Sequence, residues 1–185
     1  MSKREHMHQE MMEHAGRQGA QFSSCRTYRY ALWRTWSPGD GHITFIGLNP
    51  STADENKDDP TIRRCIGFAK DLGFGGINML NIFALRATSP KKLMKAKEPI
   101  GEKNNHYLSM YCDPIGFNVA CWGTWGGYMN RGREVLDLLG IDCLHCFGFT
   151  KNVQPKHPLY LKKDTELVEM SLYQTLQAPA ASERR

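Results

Sequence analysis

The chain has 185 residues, 41% of them hydrophobic and 23% charged, as expected of one globular domain with a real core. Its net charge of +5 fits a nucleic-acid partner. No apolar run approaches the roughly 20 residues that span a bilayer, and the start, MSKREHMHQEMMEHAGRQGAQ, lacks the apolar stretch of a signal peptide. The expectation is a cytoplasmic protein with no membrane association.

In chain order, residues 1–21 are polar and Met-rich and read as a flexible tail. His6, His8 and His14 sit in it as a weak metal-binding option beside the plainer reading of a solvated tail. YRYALWRTW (28–36) reads as a strand. Ser37-Pro38-Gly39-Asp40-Gly41 is turn chemistry, so HITFIGL (42–48) is expected to follow as an antiparallel partner. Residues 61–72 carry apolar side chains at 62, 65, 66, 69 and 72, a helical spacing stopped by Gly73, Gly75 and Gly76. INMLNIFAL (77–85) reads as a second buried strand, residues 101–112 as a helix, and FNVACWG (117–123) as a third strand. GREVLDLLG (132–140) reads as a helix with a glycine stop, and DCLHCFGF (142–149) as a fourth strand. Residues 178–185 read as a second tail, leaving one domain over 22–177.

Alternating strands and helices predict an α/β fold: a three-layer α/β/α sandwich on a central, mainly parallel four-stranded sheet, with an added N-terminal antiparallel strand. The cysteines at 25, 65, 112, 121, 143 and 146 read as reduced thiols, buried where they fall in strands. Cys143 and Cys146 form a lone C-x-x-C without the second pair of a zinc ribbon, and the set does not suit an iron–sulfur cluster. No metal and no cofactor are expected. Positive charge gathers in two groups, Lys91, Lys92, Lys95 and Lys97, and Lys151, Lys156, Lys162 and Lys163. A solvated face is the plain alternative for each.

In folds of this class ligands bind beyond the carboxyl ends of the strands. The polar stretches GLNPSTAD, WGTWGG and GFTKNVQPKHPLYL each come after a predicted strand and LNIFALRAT ends one, so all four are expected to face one crevice. The first is neither a dinucleotide fingerprint nor a P-loop, because G-x-G-x-x-G and G-K-[ST] are both missing. Asn49, Pro50 and Asp54 fall at its rim, where an amide, a rigid turn and a carboxylate can position water. His157 comes from a different loop.

The stretches LNPSTAD, DDPTIRRCIGFA, NIFALRAT and KHPLYL resemble a bacterial and phage family known as a domain of unknown function, over about residues 25–170. More distantly, the same landmarks resemble the uracil-DNA glycosylase superfamily. GLNPS is similar to its first motif, MLN to the strand presenting a base-reading Asn, CWG to its apolar-Trp-Gly strand end, and HPLYL to its His-Pro-Ser motif and wedge loop. The resemblance implies hydrolysis of an N-glycosidic bond after base flipping in DNA. It implies a glycosylase-like sheet, and substrate contacts at Gly47, Leu48, Pro50, Ser51 and Thr52.

On that resemblance Asn49 holds the attacking water. An amide orients water but takes no proton, so the missing negative charge falls to Asp54, Asp58 or Asp59. Sequence does not choose among them, and helix capping accounts equally for Asp58 and Asp59. His157 would stabilise the departing base. Asn81 would read its edge, and Phe83 or Trp125 would stack on it unless they belong to the core. Leu159, Tyr160 and Leu161 would form the wedge, flanked by Lys151, Lys156, Lys162 and Lys163 on phosphates. Ser51 stands where the uracil-specific enzymes carry a Tyr that crowds carbon 5. A 5-modified pyrimidine is therefore expected: mismatched thymine, or the hydroxymethylated or glucosylated base of phage DNA. The protein would be a monomer acting in repair or antiviral defence. Two other readings stand beside it: a hydrolase of free nucleotides or nucleosides, and a non-catalytic nucleic-acid-binding module.

Overall fold

The computed structural model describes residues 17–140 and 144–170. Among the described residues seven strands form one sheet in the order β1-β2-β4-β3-β5-β6-β7. They are β1 (Gln18–Phe22), β2 (Arg29–Thr35), β3 (His42–Gly47), β4 (Gly76–Asn81), β5 (Asn118–Ala120), β6 (Leu144–Cys146) and β7 (Val168–Met170). The helices are α1 (Pro60–Asp71), α2 (Pro90–Met94), α3 (Asn104–Tyr111) and α4 (Arg131–Leu139). β3 pairs parallel with β4 and β5, and β5 with β6. The pairs β1–β2, β2–β4 and β6–β7 are antiparallel.

Side chains alternate across the sheet, and each face buries its own core. Ile46, Leu80, Ala120 and Cys146 face Leu108 and Tyr111 of α3 and Val135 and Leu136 of α4. Ile43, Phe45, Ile77, Met79 and Val119 face Ile62, Cys65, Phe68 and Ala69 of α1. Phe68 and Phe147 lie with ring centroids 4.3 Å apart. Burying side chains such as Ile62 and Phe68 contributes about 1.5–3 kcal/mol each, which docks α1 on the sheet.

The sheet departs from the sequence reading in three places. It has seven strands rather than five: the parallel run β4-β3-β5-β6 carries antiparallel β2 and β1 on one side and antiparallel β7 on the other. Residues 18–21, read as tail, belong to β1, an edge strand whose QGAQF sequence is mostly polar. β2 and β3 are not a hairpin, because β4 lies between them. All six β4 residues are buried, so it carries a neighbour on each edge. The Trp36 and Ser37 N–H groups both donate to the Gly75 carbonyl, at 2.8 and 2.9 Å, carrying the chain past the start of β4.

Residues 1–16 of the expected N-terminal tail, with His6, His8 and His14, lie outside the described residues, as do Cys143 and the tail at 178–185. Cys65, Cys112, Cys121 and Cys146 are buried. Burial pushes the Cys121 thiol up to about 12. No helix among the described residues is long and apolar enough to cross a membrane.

Candidate functional site

Gly47 and Asn81 close β3 and β4 side by side in register. Beyond them, at the carboxyl ends of the parallel strands, Gly47, Leu48, Asn49, Ser51, Asp59, Asn81 and His157 line one pit with Arg29 and Thr61. The space is small, about 30 Å³, enough for water but less than a pyrimidine ring requires.

The neighbours of each polar group fix its orientation. Asn49 Nδ2 donates to the Pro50 carbonyl at 2.9 Å and the Ala87 carbonyl at 2.8 Å. Both donor hydrogens are therefore spent, and Oδ1 remains as an acceptor for water. Asn81 Oδ1 accepts from Arg29 Nη2 at 3.2 Å. Because a guanidinium only donates, the Asn81 amide cannot flip without losing this bond, and Nδ2 is left to donate to a ligand. Asn104 Nδ2 pins the backbone there, donating to the Asn81 and Ile82 carbonyls at 3.0 Å each. A Cβ on Gly47 would stand 2.9 Å from Asn81 Nδ2 and 2.6 Å from Met79 Cε, so only glycine leaves this amide in place.

His157 comes from the loop after β6. Its Nδ1 accepts from the Leu159 N–H at 3.3 Å, so the neutral ring carries its proton on Nε2. Burial lowers its pKa, opposed by the negative charge of Asp59. The loop rests on Gly123, whose N–H donates to the Pro155 carbonyl at 2.8 Å. Gly123 has φ +73°, and a Cβ there would lie 3.3 Å from His157 Cβ.

The three candidate carboxylates part company. Asp54 Oδ1 accepts from the Asn56 and Lys57 N–H groups at 2.9 and 2.8 Å, closing a turn. These bonds hold its pKa below the usual range. Asp58 pairs with Arg34, whose Nη2 lies 2.8 Å from Oδ1. Of the three, only Asp59 lines the pit. It caps α1, with Oδ1 accepting from the Ile62 N–H at 2.9 Å, and Pro60 follows at the first helical position.

Arg29 was not a sequence candidate. It is 2% exposed, donates from Nη1 to the Ala53 carbonyl at 3.2 Å, and its buried Nε has no partner among the described residues. Burial pulls its pKa down to about 10, with Asp59 acting against that shift, so it stays charged at neutral pH. Its signal was an arginine inside the apolar strand YRYALWRTW.

The remaining candidates lie apart from the pit. Phe83 is buried in the core, its ring centroid 5.8 Å from that of Tyr128. Trp125 is half exposed on a short 3₁₀ segment. Pro50 is buried behind the turn, and Thr52 lines a neighbouring groove. Tyr160 projects from its loop at 84% exposure beside the partly exposed Leu159. Leu161 packs on the core, and its carbonyl accepts from Arg64 Nη2 at 2.6 Å. Lys151, Lys156, Lys162 and Lys163 are exposed along the same stretch, and Lys163 lies 3.8 Å from Asp71 Oδ1.

Fold and site together define an α/β protein with a small polar pit at the carboxyl edge of a mixed sheet. The chain belongs to the family described as "Protein of unknown function (DUF1643)", which matches residues 29–159. This agrees with the domain-of-unknown-function membership expected from the motifs, and nothing in the match links the family to the uracil-DNA glycosylases. No curated protein and no solved structure matches the chain.

Proposed function

We propose that the protein is a DNA glycosylase that extrudes a pyrimidine nucleotide and hydrolyses its N-glycosidic bond. The observation supporting this is the convergence of Asn49, Asn81, Asp59 and His157, from separate segments, on one pit. Asn49 Oδ1 and the Asp59 carboxylate hold a water against the sugar. The water oxygen bonds to C1′ as the C1′–N bond breaks, and the bonding electrons leave with the base. Asp59 takes the water proton, while its charge favours the cationic sugar that develops. His157 Nε2–H donates a hydrogen bond to the base as it becomes negative, and solvent then protonates the base. Asn81 Nδ2 donates to a carbonyl oxygen on the base edge. The products are a free base and an abasic sugar.

The resting pit is too small for the ring, so base entry requires the His157 loop to move outward. Tyr160 fills the emptied stack from the same loop. Ser51 on the pit wall leaves room at carbon 5, which favours a 5-substituted pyrimidine over plain uracil.

The test is a panel of duplexes, each with one modified pyrimidine, treated with protein and then alkali. Strand breaks at 5-substituted positions are expected. Release of unmodified uracil alone would overturn the steric argument at Ser51. Tyr160→Ala should lower excision from duplex more than from single strands; unchanged excision by this variant would favour a free nucleotide as substrate.

A further inference from the structure

Beside the pit lies an open groove of about 400 Å³ lined by Ser51, Thr52, Arg86, Ala87, Thr88 and Lys92. Its lining offers two cations and three hydroxyls and no carboxylate. Ser51 belongs to both walls. Asn49 donates to the Ala87 carbonyl at 2.8 Å, and the Ala87 N–H donates to the Pro50 carbonyl at 2.9 Å. The turn that forms the pit and the wall of the groove are therefore one hydrogen-bonded unit.

Arg86 is held in place before any ligand arrives. Its guanidinium carbon lies 5.1 Å from the Phe22 ring centroid, and Nη1 donates to the Arg26 carbonyl at 3.3 Å. Glu55, which could neutralise it, is engaged by Arg26 through both oxygens at 2.7 and 2.9 Å. Lys92 is exposed and has no carboxylate partner among the described residues. Two cations with surrounding hydroxyls suit a tetrahedral oxyanion, which accepts charge-assisted hydrogen bonds from each.

We infer that this groove is a phosphate-binding site, seating the phosphate of the nucleotide whose base enters the pit. The neighbouring base rests on the glycosylase reading; the phosphate follows from the groove's own lining. A polynucleotide backbone and a free mononucleotide share that chemistry, and the experiment separates them.

The variants are Lys92→Gln, Arg86→Gln and their double, with Lys70→Gln, at the far end of α1, as the charge control. Affinity for a short duplex is measured by fluorescence anisotropy across a salt series. In parallel, binding of deoxyuridine and of its 5′-monophosphate is measured by calorimetry. Each single groove variant is expected to reduce the slope of log affinity against log salt by about 0.9 and the double by about 1.8, while Lys70→Gln leaves it unchanged. Weaker monophosphate binding with an unaltered duplex slope would assign the site to a free nucleotide's phosphate. Wild-type behaviour of the exposed Lys92→Gln in both arms would overturn the proposal, with no question of misfolding. If the glycosylase reading alone fails, no base is released from any DNA while the salt slope still falls.

Discussion

Asp59 is where capping and chemistry can be separated by two substitutions. Its Oδ1 accepts from the Ile62 N–H at 2.9 Å, and Ile62 is 1% exposed. Asn caps helices as well as Asp does, so Asp59→Asn keeps that bond while removing the charge. Asp59→Ala removes both. The lost cap costs about 1 kcal/mol, rising toward about 3 kcal/mol if no water reaches the buried N–H. Both variants deprive Arg29 of the negative charge that offsets its burial, so the difference between them isolates the cap. At roughly 2–4 °C per kcal/mol for a chain of this size, Ala should melt about 2–12 °C below Asn. Base release should instead fall equally in both, by about 10²–10⁴-fold, because both lack the proton acceptor. Thermal melts and single-turnover base release measure the two quantities. Wild-type release by Asp59→Asn would refute the catalytic role and leave Asp59 a cap alone.

Gly47→Ala places a Cβ 2.9 Å from Asn81 Nδ2 and 2.6 Å from Met79 Cε. Met79 can yield but Asn81 is held by Arg29, so about 1–3 kcal/mol of stability and about 10²-fold in rate should be lost; unchanged turnover would exclude Asn81 as the base reader. Ser51→Tyr should abolish release of 5-substituted bases while sparing uracil, read on a mixed-substrate panel; retained activity on the bulky bases would place carbon 5 elsewhere. His157 has its folded pKa lowered by burial, so its contribution to stability is complete above the ordinary value of about 6.5. That contribution is lost as pH falls below 6.5, because the unfolded chain takes the proton first. Denaturant unfolding between pH 7.5 and about 5 should show a steeper loss in wild type than in His157→Gln; equal slopes would mean that the ring titrates normally.

What the sequence revealed was what local chemistry controls. The apolar spacing of α1, opened by Asp59 and Pro60, sets its extent. The buried runs of β3 and β4 announce themselves because all but one of their residues face a core. The edges of the sheet were hidden, since QGAQF in β1 and VEM in β7 are half exposed and carry little hydrophobic pattern. Sheet order was hidden for another reason: β2 meets β4 across more than forty residues of chain, with β3 lying between them in sequence, and a Pro-Gly-Asp-Gly turn says nothing about that. At the site, motif order brought Asn49, Asn81 and His157 forward together. It could not choose among Asp54, Asp58 and Asp59, because the choice is made by Arg34 and by the turn at 54–57. Arg29 escaped because its partner Asn81 is 52 positions away.

Release of a base from DNA by the pit can be measured directly. Purified protein is incubated with DNA from several phages carrying modified pyrimidines, and the small-molecule fraction is analysed by mass spectrometry. A free 5-substituted pyrimidine is expected in amounts matching new abasic sites, and absent with Asp59→Asn and Asn81→Ala. Folded wild-type protein that binds these DNAs and liberates no base from any of them would contradict the proposed glycosylase activity.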